Sequence, residues 1–269
     1  EEARLRALHE LIQAALDRPE LTGPDARGLA DLRRLEATAL VDDQPALIER
    51  IGRAPLSYVL RQPPDAIARH AQLVDPLPGR HEARVRTGQT GEQRWWVEVG
   101  ARDRPGLLAT VTAALAAAGL DVTGAVVATW HDGAAIEAFT VHGAAAPDAA
   151  ALERAIEHGF GAAPTAPALP DVEVAFDNVA SPWHTVCEVR TADRPALLHD
   201  VAAVFDAAGT SVVAATATSG DDLVVDRFEL TDRDGAKLAP AHQDAISRYL
   251  REGVTPPRRR FGRRQSVRA

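Results

Sequence analysis

The chain has 269 residues, 46% of them hydrophobic, which is enough for one large domain or two to three small ones. A net charge of −8 argues against a nucleic-acid-binding body, and a single cysteine excludes an internal disulfide framework or a zinc site with several thiolates. No run approaches the ~18 apolar residues of a membrane helix, and the charged N-terminus is unlike a signal peptide. We therefore expect a cytoplasmic protein with no membrane partner. The chain contains no Met, so we also expect a piece of a longer chain.

The first part of the chain has apolar residues at helical spacing. This spacing predicts helices over 1–17, 26–41 and 44–52. A pair of prolines at 63 and 64 then ends one element and opens a short helix through residue 71. We assign residues 1–75 to an α-helical segment, the possible tail of a missing hydrolase domain. Residues 76–93 are rich in Pro, Gly and polar side chains, which predicts a linker.

The pattern changes at Arg94, where "RWWVEVGA" alternates like a strand. A helix from Pro105 to Ala118 follows, then a hairpin turning at "HDG", a second helix and a short strand, "DVEVAF". The first domain is therefore assigned to residues 94–177, with the order strand, helix, strand, strand, helix, strand.

A second copy of this pattern occupies residues 178–253, although no final strand is evident in it. Three pairs of identical residues are each separated by 90 positions: Asp103 and Asp193, Pro105 and Pro195, and Gly119 and Gly209. A repeat of this length predicts an α+β fold with two tandem ferredoxin-like βαββαβ domains after the helical segment.

Residues 254–269 form a basic tail, for which a disordered end is the favoured interpretation. The stretch from Arg251 onward carries seven Arg and one acidic residue, so contact with an acidic partner or nucleic acid is the alternative. Phe261 is the only aromatic residue there, which gives little support to base stacking.

The triplet Asp-Arg-Pro lies between the first strand and first helix of each copy. In the first copy, Asp103 is placed to cap the helix, Pro105 needs no hydrogen-bond partner, and Gly106 allows close backbone approach. Free N–H groups at a helix N-terminus are a natural seat for a carboxylate. The alternative is that these residues simply make a good turn and cap.

The repeat resembles the ACT domain, a small ferredoxin-like module that commonly binds amino acids and regulates enzymes. Both copies carry Asp-Arg-Pro-Gly/Ala-Leu-Leu and a helix ending in Ala-Gly. Three further segments resemble the region around the ACT pair of bacterial protein-PII uridylyltransferase/uridylyl-removing enzymes. They are "PLSYVLRQPPDAIARH", "FDNVASPWHTVCEVRTADRPALL" and "DRFELTDRDGAKL", beginning at residues 55, 176 and 226.

This resemblance implies two ligand sites where modules meet, with backbone N–H groups binding a carboxylate and an acidic or amide side chain taking the ammonium group. The first candidate site comprises Asp103, Arg104, Pro105, Gly106, Leu107 and Leu108, with Leu120, Asp121 and Val122 opposite. The second candidate site comprises Asp193, Arg194, Pro195, Ala196, Leu197 and Leu198, with Thr210, Ser211 and Val212.

The second copy departs from the pattern at two positions. Ala196 stands where Gly is preferred and crowds the approach with a methyl group, and Ser211 stands in place of Asp121. Judged by access to the backbone, the first copy is the better pocket.

The resemblance implies a regulatory module that senses an amino acid, glutamine in that family, and biases attached catalytic domains. The full-length family transfers nucleotides to and from the PII signal protein, using Mg²⁺ and a nucleoside triphosphate in domains absent here. We expect no cofactor, metal or catalytic residue in this chain, and PII as a possible partner.

Two alternatives remain open. The chain could itself be an enzyme, but no nucleophile, base or metal cluster with supporting spacing is evident. It could also be a ligand-free interaction module that forms homo-oligomers through its sheet edges, because an unpaired edge invites another chain.

Overall fold

The computed structural model describes residues 24–41, 44–181, 183–218 and 223–255. Three features of the sequence lie outside these ranges: the helix predicted over 1–17, the turn of the second copy's predicted hairpin around Asp221, and the Arg-rich stretch from 256 to 269. Within the described ranges, no helix combines the length and the apolar character needed to cross a membrane.

After an N-terminal group of helices, the described residues form two successive sets of four strands and two helices, each in the order strand, strand, helix, strand, strand, helix. The helices are α1 (Pro24–Thr38), α2 (Pro45–Gly52), α3 (Leu56–Val59), α4 (Pro64–Leu73), α5 (Leu107–Ala117), α6 (Ala149–Gly159), α7 (Leu197–Ala207) and α8 (Pro240–Glu252). The strands are β1 (Ala83–Gly91), β2 (Arg94–Arg102), β3 (Asp121–Thr129), β4 (Ala134–His142), β5 (Glu173–Asp177), β6 (Thr185–Ala192), β7 (Thr210–Thr218) and β8 (Leu223–Asp232).

All eight strands join one sheet in the order β1-β2-β4-β3-β7-β8-β6-β5. The first four strands with α5 and α6 form unit one, and the last four with α7 and α8 form unit two. The units meet where β3 pairs antiparallel with β7, from Gly124 opposite Thr218 to Ala128 opposite Ala214. The predicted α+β fold with two ferredoxin-like units is therefore confirmed.

The edge strand of each unit comes first along the chain rather than last. The prediction of a linker over 76–93 is wrong for Ala83–Gly91, which forms β1 beside β2. The strand containing "DVEVAF" was expected to close the first domain, but it is β5 and pairs with β6 of unit two. β5 therefore fills the edge that appeared to lack a final strand.

Alternation along the strands separates two apolar layers on the two faces of the sheet. Val97 and Val99 of β2 face α5 and α6, and Cys187 and Val189 of β6 belong to the same buried cluster. This cluster continues under α5 to α8 through both units, so the two units share one core. Such continuity follows from the period of two along a strand, which sends alternate side chains to opposite faces.

The N-terminal helices cover the opposite face of unit one. Trp130 and Ile136 of the β3–β4 hairpin are buried with α1 to α4 in a second cluster. The Tyr58 and Trp130 rings meet edge to face with centroids 5.3 Å apart, a favourable geometry for aromatic pairs.

A buried polar network also fastens α4 to β2. The Tyr58 hydroxyl lies 2.5 Å from His70 Nδ1, and His70 Nε2 lies 3.2 Å from Glu98 Oε1. The Arg69 guanidinium donates to the same Glu98 oxygen at 2.9 Å. Burial opposes ionisation of Glu98, but hydrogen bonding and charge from His70 and Arg69 hold its pKa below its usual value.

The helical segment reaches unit two as well. Arg61, just after α3, donates to Glu229 of β8 at 3.3 Å, and His184 lies 3.0 Å from the other oxygen of that carboxylate. The helical segment is therefore bonded to both halves of the sheet.

The chain after α8 returns to the body of the protein. Val254 forms a β-bridge with Ala166, so the prediction of a disordered tail is wrong for this residue. Two backbone hydrogen bonds between these residues, at 3.2 and 2.8 Å, hold this position.

We predict that Glu98→Ala lowers the free energy of unfolding by about 3–5 kcal/mol, because it leaves the buried His70 ring and the half-buried Arg69 guanidinium without their carboxylate partner. Urea unfolding followed by circular dichroism measures the change. Asp65→Ala is the matched control, since Asp65 pairs with the same Arg69 but is 61% exposed. Its expected cost is about 0–1 kcal/mol. Equal losses in both variants would contradict the role of Glu98 as the buried carboxylate partner of Arg69 and His70.

Candidate functional site

The joint between the units creates two clefts related by the repeat. The first cleft lies between the β2–α5 turn of unit one and the start of β7, and the second between the β6–α7 turn of unit two and the start of β3. Each cleft opens to solvent.

The structure brings most of the predicted site residues into these clefts, but it exchanges their partners. The turn from Asp103 to Leu108 faces Thr210, Ser211 and Val212, not Leu120 to Val122. The second turn faces Leu120, Asp121 and Val122 instead. The predicted pairing within one copy is wrong because α5 and α7 lie side by side across the β3–β7 joint, which places each turn against the other unit. Of the eighteen predicted residues, Pro195 is the one absent from both linings.

The two turns have the same unusual backbone. Gly106 precedes α5 with a φ of +75°, and Ala196 precedes α7 with a φ of +62°. The prediction that Asp103 caps α5 is wrong, because Gly106 holds the cap position and no side chain caps the helix. Burial raises the pKa of Asp103, against the opposing effects of the neighbouring Thr129 side chain and Arg104 backbone.

A deeply buried carboxyl group lies in the first cleft. Glu137 of β4 is 1% exposed, and its Oε2 has no hydrogen-bond partner. Burial and the neighbouring Asp103 charge raise the pKa of Glu137 to about 8. The group is therefore mostly uncharged at neutral pH.

A second carboxylate lies directly over the first turn. A Cβ built on Gly106 would lie 2.7 Å from Asp206 Oδ2, so the Asp206 side chain of α7 packs against the Gly106 backbone. Burial raises the pKa of Asp206, while Arg233 acts in the opposite direction. The backbone access that the sequence predicts at Gly106 is thus taken up by a side chain of unit two.

The second cleft differs at the matching positions. Ala116 stands 90 residues before Asp206 and lines this cleft without a charged group. Asp121 lies near Asp193 of the turn, and burial together with that neighbouring charge raises the pKa of Asp121. An ammonium group placed between these carboxylates would relieve their repulsion.

Among the lining residues that sequence reasoning missed are Glu137, Asp206, Ala116 and Asp226. A sequence signal for Glu137 and Asp226 was present. Each acidic residue lies two positions before a buried phenylalanine, Phe139 or Phe228, and therefore on the same apolar face of its strand. The difference between Ala116 and Asp206 is visible from the 90-residue offset, but its meaning depends on α5 and α7 being neighbours.

The sequence contains two His-Asp dipeptides, at 131–132 and 199–200, and one residue of each contacts another part of the protein. Asp132 of the first dipeptide forms an ion pair with Arg50, whose Nη2 lies 3.1 Å from Asp132 Oδ2. His199 of the second pair lies 2.9 Å from the Ala109 carbonyl and connects α7 to α5. In the part of the chain that the structure describes, no group of three His, Cys, Asp or Glu side chains is arranged to hold a metal ion.

Unit one matches a known family of domains. The family model of the ACT domain matches residues 95–157, which cover β2 to most of α6. The chain therefore contains an ACT domain in unit one, as its sequence pattern predicts.

Most of the chain also resembles one group of curated proteins. It is 32% identical over 210 residues to the bifunctional uridylyltransferase/uridylyl-removing enzyme of Phenylobacterium zucineum, covering 69% of this chain and 22% of that protein. The protein of the same name from Novosphingobium aromaticivorans is 31% identical over 240 residues, covering 80% and 26%. The predicted resemblance is thus confirmed, and the chain spans about a quarter of the length of these relatives.

Among solved structures, aspartate kinase from Synechocystis aligns with a TM-score of 0.36 and 15% identity. The alignment covers 59% of this chain and 26% of the kinase chain.

We predict that Ala196→Gly raises the free energy of unfolding by about 0.5–1 kcal/mol, because glycine adopts the positive φ without strain. Gly106→Ala is the reciprocal variant and should cost more than 1 kcal/mol, since its new methyl group meets the Asp206 carboxylate. Urea unfolding of both variants measures the two effects, and a destabilised Ala196→Gly would contradict the strained turn.

We also predict a pH dependence from Glu137. Between its unfolded value near 4.5 and its folded value of about 8, the folded protein holds more protons. The free energy of unfolding should therefore fall as pH rises through this window, by up to about 1.4 kcal/mol per pH unit. Urea unfolding at pH 5.5, 6.5 and 7.5 should show a shallower decline in Glu137→Gln. The exposed Glu173→Gln is the control, and a slope unchanged by Glu137→Gln would contradict the buried neutral acid.

Proposed function

We propose that this chain is the amino-acid-sensing region of a uridylyltransferase-like nitrogen-regulation protein, and that its ligand is glutamine. The observation that carries the proposal is the placement of each helix N-terminal turn against the first strand residues of the other unit. A ligand in such a cleft contacts both units and so favours one arrangement of the pair.

The second cleft is the proposed glutamine site. The N-terminus of α7 offers partial positive charge to the ligand carboxylate, and Asp121 with Asp193 offers negative charge to its ammonium group. Ala116 leaves the approach to this turn open, whereas Asp206 lies over the corresponding turn in the first cleft.

The rest of the proposed activity belongs to the longer protein. We propose that glutamine binding biases transfer and removal of uridylyl groups on the PII signal protein by catalytic domains outside this chain. Mg²⁺ and the nucleoside triphosphate would bind those domains, and this chain would need no cofactor. The helical segment is the proposed connection, since it is bonded to both units through Glu98 and Glu229.

Thermal unfolding with and without glutamine tests the binding proposal. A ligand at 100 times its dissociation constant should stabilise the folded chain by about 2.7 kcal/mol. Ala116→Asp should abolish this shift, because it places a carboxylate over the α7 turn as Asp206 does over the α5 turn. Ala117→Asp is the matched control, since it adds the same charge at the exposed neighbouring position.

The outcome separates the sensor from its rival. A shift with glutamine that Ala116→Asp removes and Ala117→Asp retains supports the sensor. No shift with any of the twenty amino acids, in a chain that unfolds cooperatively, refutes sensing by this chain and favours a ligand-free interaction or oligomerisation module.

A further inference from the structure

One side of α1 is apolar and exposed to solvent. Leu29, Leu32 and Leu35 follow one another at intervals of three, so they lie along the same side of the helix. Their exposed fractions are 39%, 50% and 68%. Ala30 and Ala37 are fully buried on another side of α1, which packs into the helical cluster. α1 therefore has two apolar sides, of which one is buried and the other is exposed.

The exposed side of α1 is open to the approach of a second helix. Gly28 lies between Leu32 and Leu35 around the helix axis, at about 100° per residue. A Cβ built on Gly28 would meet no heavy atom within 4 Å. Leucines that border a glycine allow close helix packing, because the groove between the leucines has no side chain in it.

The chain immediately before α1 carries a matching apolar stripe. Residues 1–17 have apolar side chains at intervals of three and four, which predicts a helix with one apolar side. These side chains are Leu5, Leu8, Leu11, Ile12, Ala15 and Leu16. Residues 18–23 would connect this helix to α1, and six residues is an ordinary length for a connection between antiparallel helices.

We propose that residues 1–17 pack as an antiparallel helix on the exposed side of α1. Leu16 and Leu29 are the leucines nearest to the connection, so they meet first. Leu32 and Leu35 then contact the apolar side chains that precede Leu16. The exposed side of α1 is thus a docking surface for the N-terminal segment of the same chain. This inference does not depend on glutamine binding.

Charge at the far end of the two helices supports the antiparallel arrangement. Arg4 lies on the apolar side of its segment, four residues before Leu8. Glu36 is exposed and lies four residues after Leu32, on the exposed side of α1. Arg4 and Glu36 are at similar distances from residues 18–23 that connect the helices, so antiparallel packing brings these opposite charges together.

A second copy of the chain fits this surface less well. A stable interface between proteins buries about 800 Å² on each partner, whereas α1 has 15 residues and offers one side of them. The N-terminal segment, in contrast, is tethered to α1 by a short connection. Such a tether gives a millimolar effective concentration without any contribution from a dimer interface.

Hydrogen–deuterium exchange of the whole chain, followed by mass spectrometry, tests the proposal. Amides of residues 5–17 should exchange at least ~tenfold more slowly than in an unfolded chain. Leu32→Asp should remove most of this protection, because it places a charge in the middle of the apolar contact. Leu223→Asp is the matched control, since Leu223 is 57% exposed in β8 of unit two and should leave the protection unchanged.

Charge reversal provides an independent test of the antiparallel arrangement. Arg4→Glu and Glu36→Arg should each speed exchange of residues 5–17, because each variant places like charges together. The double variant should restore the original rate. Both residues lie at exposed or terminal positions, so these variants do not disturb the buried core.

Four outcomes would overturn the proposal. They are exchange of residues 5–17 at the unfolded rate, protection that survives Leu32→Asp, single charge reversals that the double variant does not correct, and protection that disappears on hundredfold dilution. The last outcome, with a dimer mass by light scattering at high concentration, would assign the exposed side of α1 to a second copy of the chain.

Discussion

The antiparallel pairing of β3 with β7 is the contact on which the rest of the structure depends. It turns two four-stranded halves into one sheet and sets α5 beside α7. Ala125 and Ala215 lie under these helices at the joint, where small side chains leave room for close packing. Without this pairing each turn would face solvent, and neither cleft would have a second wall.

Much of the fold follows from sequence pattern, because helical spacing, strand alternation and the 90-residue offset are local signals. β1 escaped detection because an edge strand needs few buried residues, and only Ala83 and Val85 are buried in it. The exchange of partners between the turns was beyond sequence reasoning, since it depends on which sheet edges meet. Site residues on the turns were found by motif, whereas Glu137 and Asp206 enter the first cleft only through tertiary packing.

The two copies share a backbone plan but differ in the charges they place on it. One turn carries Gly106 beneath a carboxylate, and the other carries the strained Ala196 opposite Ala116. The two clefts therefore present different charges to solvent across one shared joint. A molecule bound in either cleft would contact both units, so binding in one cleft and binding in the other would affect each other reciprocally.

The early position of each edge strand has a consequence during synthesis of the chain. β1 leaves the ribosome before β2, so unit one has all four of its strands by His142 and its last helix by Gly159. Unit one can therefore begin to fold while unit two is still being translated, because folding during synthesis starts from the N-terminal part of a chain. β3 then presents a finished edge on which β7 can pair as it emerges.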